Sequence, residues 1–117
     1  MTWKGTLIEE GLKEKAVMKA VKVVERIKSK ETICKIEVED SVKDEFVRAA
    51  MKSIREGYFI NLCKDKLMYV VFKEHMFKFS RGYPELETAR RYGESVGIPK
   101  ERMPFEKMIL DPFCREV

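Results

Sequence analysis

The sequence predicts an α+β fold, with a single compact domain over residues 1–117. The predicted sheet is largely antiparallel, with about five or six short strands and two to three helices packed on one face. The main observation is a run of three short strands separated by polar turns of hairpin length, at Tyr58–Cys63, Leu67–Phe72 and Met76–Ser80. Strands and helices do not alternate regularly along the chain, which favours an antiparallel sheet over a parallel one.

The N-terminal third contributes the other predicted strands. Trp3–Ile8 and Thr32–Glu39 both alternate in the way that a half-buried strand requires. The stretch Glu10–Ile27 between them fits either one helix or a helix followed by a strand, because its valines match both periods. We favour a short helix over Leu12–Ala20 followed by a strand over Val21–Lys28. The core-facing residues of the Thr32–Glu39 strand are predicted to be Cys34, Ile36 and Val38.

Two amphipathic segments predict helices. The first follows Ser41, whose hydroxyl is predicted to cap it. Its predicted inner face consists of Val42, Phe46, Val47, Ala49, Ala50 and Ile54. The second begins near Pro84, and Gly97 is predicted to end it in a left-handed conformation. Within Lys100–Val117 the pattern indicates one short helical turn at Glu106–Leu110.

The composition indicates a cytoplasmic protein. No apolar run approaches the roughly 20 residues needed to cross a bilayer, and the first ten residues contain no secretory signal pattern, so we expect no membrane association. Charged residues make up 38% of the chain, glutamine is absent and Asn61 is the one asparagine. This composition favours a thermophilic source.

No catalytic or metal-binding motif has the spacing and predicted secondary structure that its chemistry requires. Cys34, Cys63 and Cys114 lack the close spacing of zinc ligands, so we interpret them as reduced thiols and predict no metal and no cofactor. The string Gly93–Gly97 matches GxSxG, but it falls at the end of a predicted helix and the chain's one histidine precedes the serine. That histidine, His75, is predicted to lie in a polar turn. Cys63 could approach it across the hairpin to form a Cys/His nucleophile pair. An enzyme without a readable motif stays the least favoured alternative.

A basic stripe supports nucleic-acid binding as the alternative function. Its four candidate contact residues are Lys22, Arg26, Lys28 and Lys30, which share a face if the segment is a regular strand. Glu37 and Glu39 on the neighbouring strand offer cross-strand partners that would neutralise much of this charge. Stacking on single strands would also require exposed aromatic residues. The candidates are Tyr58, Phe59, Tyr69 and Phe72.

Several short motifs together resemble small prokaryotic proteins of unassigned function. They are Trp3-Lys4-Gly5, Gly57-Tyr58, Tyr69-Val70-Val71-Phe72 and the stretch from Tyr92-Gly93 to Gly97-Ile98-Pro99. The resemblance spans most of the chain and implies a stand-alone domain, but it implies no activity and no site.

The leading functional hypothesis is a small binding or assembly module. Both sides of Leu67–Phe72 are apolar, so this strand must be covered on two faces. A short chain has few other apolar residues with which to cover both faces of this strand. We therefore expect association with a second copy or a protein partner, through a sheet face or a strand edge.

Overall fold

The computed structural model describes residues 2–80 and 82–115. Within them, one antiparallel sheet has the strand order β2-β3-β1-β4-β5-β6. Strands β1 to β6 span Thr2–Ile8, Lys22–Lys28, Thr32–Glu39, Ile60–Lys64, Leu67–Phe72 and His75–Ser80. Helices α1 to α3 span Lys43–Ser53, Pro84–Ser95 and Phe105–Leu110. The α+β class and the antiparallel sheet are confirmed.

Helices cover both faces of this sheet. In β5, Tyr69 and Val71 belong to the core that contains Phe46 of α1, whereas Met68 and Phe72 belong to the core formed with α2 and α3. The predicted packing of all helices on one face is therefore wrong. The physical reason is the composition of β5, which presents apolar side chains on both sides and needs an apolar layer on each.

The region between β1 and β3 follows the helix-then-strand interpretation. Lys15–Ala20 forms a 3-10 helix, and β2 follows it directly. The predicted helix over Leu12–Ala20 therefore starts too early, because Leu12 instead forms a bridge with Ile54 after α1. Strands β3 and β5 have their predicted bounds.

The start of α1 differs from its predicted capping. A 3-10 turn over Asp40–Val42 runs into the helix, so that Val42 takes the N-cap position, and the Ser41 hydroxyl does not cap the helix. Ala49, predicted on the inner face, is exposed, whereas Ala50 is fully buried. The extra turn explains the missing cap, because it carries the chain into the helix without the extended residue that a serine cap requires.

The end of α2 confirms its predicted cap. Gly97 has a φ of 96°, a conformation that glycine adopts without a steric penalty. Its amide donates to the carbonyl of Glu94 at 3.1 Å, and the amide of Ile98 donates to the carbonyl of Gly93 at 2.9 Å. These two bonds form the Schellman arrangement and satisfy two carbonyls at the helix end.

The C-terminal segment is fastened to the middle of the sheet by a buried amide. The Asn61 side-chain oxygen accepts hydrogen bonds from the backbone amide of Thr6, at 3.1 Å, and from its hydroxyl. The Asn61 side-chain nitrogen donates to the carbonyl of Pro112 at 3.0 Å. The predicted turn near 106–110 is observed as α3, and the last two residues of the predicted Lys100–Val117 segment lie outside the described residues.

Candidate functional site

A β-bulge at Val24 divides the predicted basic stripe. Before the bulge, Lys22 lies opposite Glu37; after it, Arg26 lies opposite Cys34 and Lys28 opposite Thr32. Because Glu37 and Cys34 point to opposite faces of β3, Lys22 points away from the other two. The prediction that the stripe shares one face is wrong, because the extra residue shifts the alternation by one.

The charges of this region follow the predicted pairing only in part, at Lys22 opposite Glu37. Arg26 Nε lies 3.4 Å from a carboxylate oxygen of Glu9, not against Glu37 or Glu39. Glu25 lies 2.8 Å from Lys35 on the opposite face. The remaining stripe residue, Lys30, lies in the turn after β2. The structure therefore does not bring the four basic residues together as one contact surface.

The aromatic candidates for base stacking are mostly in the core. Phe59, Tyr69 and Phe72 are buried, and Tyr58 is half-buried. The hydroxyl of Tyr58 donates to a carboxylate oxygen of Glu31 at 2.6 Å. These side chains offer little open ring face, which is what base stacking requires.

The buried rings of Tyr69 and Trp3 instead pack against a buried lysine, Lys43. The Lys43 ammonium lies 4.1 Å from the centre of the Tyr69 ring and 5.0 Å from that of Trp3, and it donates to the Tyr69 hydroxyl at 2.9 Å. Burial alone would lower the pKa of Lys43, but hydrogen bonds to Asp44 and Tyr69 outweigh it and raise the pKa. Lys43 therefore stays charged and acts as a cation–π anchor for the N-terminus of α1. No sequence spacing signals this cluster, because its members come from three distant segments.

The candidate nucleophiles are not activated. Burial raises the pKa of Cys34 and raises that of Cys63 to about 12, so both thiols stay protonated at neutral pH. His75 lies opposite Phe72 at one end of β6, with its ring 4.6 Å from that of Tyr92. Cys63 lies two strands away, opposite Met68. The structure does not bring His75 and Cys63 together.

The serine of the GxSxG string has a structural role. Ser95 is the last residue of α2, and its hydroxyl donates to the carbonyl of Tyr92 at 2.6 Å. A nucleophile elbow places its serine between a strand and the start of a helix. The position of Ser95 at the end of a helix is the reverse of that arrangement.

The two edge strands of the sheet, β2 and β6, differ in regularity and in charge. β2 is bulged and carries four charged residues, which is how proteins protect an edge against further pairing. β6 is regular in its pairing with β5, and Lys78 is its one lysine, arginine or acidic residue. On β6, Met76 is 40% exposed and Phe77 is half-buried. Helices cover both faces of the central strands, whereas β2 is exposed over most of its length. The regular and weakly charged β6 edge is therefore the stronger candidate for association.

Comparisons with known proteins add no family. No family model, curated protein or solved structure matches this chain. Among the helices of the described residues, none is long and apolar enough to cross a membrane.

Proposed function

We propose that this protein is a cytoplasmic self-association module, in which the β6 edges of two copies pair to continue the sheet. One observation carries the proposal: β6 ends the sheet without a bulge, and Lys78 is its one lysine, arginine or acidic residue. In an antiparallel sheet every second residue of an edge strand turns its N–H and C=O groups outward. Those peptide groups are available to a further strand.

The difference between the two edges supports pairing of like with like. A head-to-tail contact between β6 of one copy and β2 of the next would continue indefinitely and form a fibre. The bulge at Val24 interrupts the regular ladder that such a contact needs. Pairing of β6 with β6 about a two-fold axis closes after two copies.

The side chains of β6 favour a particular register. An axis at Lys78 would place two ammonium groups opposite each other, which is unfavourable. An axis at Phe77 instead pairs the two Phe77 rings and places each Met76 opposite Lys78 of the second copy. The exposed methionine is then covered by the aliphatic part of a lysine side chain.

The composition supports the cytoplasmic and thermophilic setting. The three cysteines are free, with two of them buried, as expected of a protein in a reducing compartment. The enrichment in charged residues, at 38%, and the near absence of amide side chains support a thermophilic source. A dimer interface would add stability at high temperature through mass action.

Sedimentation velocity over about 1 to about 100 µM tests the proposal, because this range brackets the affinity of a modest edge interface. We expect a species of twice the 13.8 kDa chain mass to grow with concentration. Met76→Lys places a charge on the β6 edge and is expected to weaken dimerisation at least about tenfold. Val24→Lys makes the same type of change on the β2 edge at a similarly exposed residue, and it should leave the dimer unchanged.

Two results would reject the proposal. One is a wild-type protein that stays monomeric throughout the concentration range. The other is a dimer that Val24→Lys weakens as much as Met76→Lys does, since the contact would then not depend on the β6 edge. Far-UV circular dichroism of both variants checks that each is folded, so that a change in mass reports on association.

A further inference from the structure

A cavity separate from the β6 edge lies beside the C-terminal segment. It has a volume of about 160 Å³, and its walls include the Tyr58 and Phe59 segment before β4, Glu31 of the β2–β3 turn, Arg102 and Arg115. Drug-sized ligands occupy cavities of about 300 Å³ or more. At about 30 Å³ for a water molecule in the liquid, this space suits a group of only a few heavy atoms.

Arg115 reaches this cavity, and among the described residues it has no carboxylate partner. Its guanidinium lies 4.0 Å from the centre of the Phe59 ring, and its Nη1 donates to the carbonyl and hydroxyl oxygens of Thr6 at 3.3 and 3.4 Å. No carboxylate in ranges 2–80 and 82–115 lies within ion-pair distance of it. A guanidinium has five N–H donors, and the contacts with Thr6 use only those on Nη1.

The surroundings make this cation unfavourable as it stands. Burial lowers the pKa of Arg115 to about 9. Attraction to the Glu31 carboxylate opposes this effect, and a smaller repulsion from Arg102 adds to it. Arg115 remains protonated at neutral pH, because a pKa of about 9 lies above that pH. Its positive charge is therefore held in the cavity wall without full compensation.

Within the described part of the chain, the one carboxylate in the cavity wall already accepts a hydrogen bond. Glu31 accepts the hydrogen bond from the Tyr58 hydroxyl at 2.6 Å, and this bond raises the pKa of Tyr58. Counted over residues 2–80 and 82–115, the wall carries two guanidinium groups, those of Arg102 and Arg115, and a single carboxylate. These described lining residues together carry a net positive charge and unused N–H donors, which are the features that recognise an anion.

We propose that this cavity binds a small oxyanion of the phosphate type, either inorganic phosphate or the phosphate group of a small metabolite. Arg115 is the inner donor, held flat by Phe59 and oriented by Thr6. Arg102 is exposed and closes the site from its rim. Guanidinium groups match the oxygen spacing of phosphate and can donate two parallel hydrogen bonds to it. No covalent step is part of the proposal.

Amide chemical-shift titration of the full chain with inorganic phosphate tests the site. We expect saturable shifts of the amides of Tyr58, Phe59 and Thr6, together with a higher melting temperature in phosphate. Arg115→Gln and Arg102→Gln should each weaken phosphate binding, the former about tenfold or more. Arg91→Gln removes the same charge from an exposed residue of α2 outside the cavity and should leave the affinity unchanged.

Further titrations distinguish the sources of the anion. Glycerol phosphate binding more tightly than inorganic phosphate would assign the site to a metabolite, and the reverse order would assign it to the free ion. Acetate should bind more weakly than either, because it has fewer acceptor oxygens and less charge. Arg102→Gln also serves if Arg115→Gln does not fold, since Arg102 is exposed.

Two results would overturn the proposal. The first is the absence of saturable shifts near Tyr58 and Phe59 in the wild-type protein. The second is an equal loss of affinity in Arg102→Gln and Arg91→Gln, which would show that phosphate responds only to net charge. The outcome does not depend on dimerisation, because the cavity is formed within one chain and Met76→Lys can be titrated in the same way.

Discussion

Replacing Phe46 with alanine tests the packing of α1 on the sheet. The Phe46 side chain is 1% exposed and lies in the core between α1 and one sheet face. Neighbouring positions of that core, Ile36 and Leu62, are completely buried on adjacent parts of the sheet. The substitution therefore removes a ring from a site whose floor is held by strand pairing.

The expected loss of stability follows from two contributions. Full burial of a phenylalanine side chain stabilises a fold by about 1.5 to 3 kcal/mol through transfer from water. A residual cavity of about 50 Å³ adds about 1 kcal/mol at about 24 cal/mol per Å³. The sheet floor limits collapse of α1, so we expect a total near the usual range of about 3 to 5 kcal/mol for this substitution.

Chemical denaturation with urea measures this change as a lower free energy of unfolding. Arg48→Ala on the exposed side of the same helix is the control, and it should change stability by about 0.5 kcal/mol or less. In a thermal melt Phe46→Ala should lower the midpoint by roughly 15 °C, at about 4 °C per kcal/mol for a domain of this size. Equal effects of the two substitutions would refute the orientation of α1.

Three other perturbations test separate parts of the structure. Gly5→Ala should prevent folding, because its Cβ would collide with the backbone of β4. Gly97→Ala places its Cβ in open space, so its positive φ should cost only about 1 kcal/mol of stability. Circular dichroism and urea denaturation compare the two variants. A thiol reagent at pH 8 should modify half-buried Cys114 before Cys63, whose pKa of about 12 leaves very little thiolate; labelling followed by mass spectrometry orders them, and prior labelling of Cys63 contradicts this. Deleting Val24 removes the bulge without changing any β2–β3 pair, so the protein should fold and self-associate more at the regular β2 edge; unchanged sedimentation would contradict this.

The elements that could be predicted from the sequence are those with a local cause. Thr32–Glu39 and Leu67–Phe72 have the predicted bounds because alternation and polar turns are short-range signals. The α2 terminus was predictable because Gly97 and its neighbours form the cap through local hydrogen bonds. Where a few neighbouring residues determine the bounds of an element, the local sequence pattern is sufficient to predict them.

Features that depend on distant segments could not be predicted in this way. No pattern in the sequence marks the bulge at Val24, yet the bulge places Lys22 on the opposite face of the strand from Arg26. The second helical layer depends on where the chain after β6 packs, which periodicity does not specify. The cavity also escaped prediction, because Glu31, Tyr58 and Arg115 are far apart in the chain and match no binding motif.

Two arginines show why the cavity differs from an ordinary structural feature. Arg90 is buried, but it donates to the carboxylates of Glu87 and Glu106 and to the carbonyl of Met103 at 3.3 Å, and the hydrogen bond with Glu106 raises its pKa. Arg115 is half-buried, no carboxylate of the described residues lies within ion-pair distance of it, and burial lowers its pKa to about 9. A guanidinium withdrawn from water needs a counter-charge, which the described chain supplies for Arg90 and leaves open for Arg115. An anion that occupies the cavity supplies it only in the folded state, so its binding free energy also stabilises the fold.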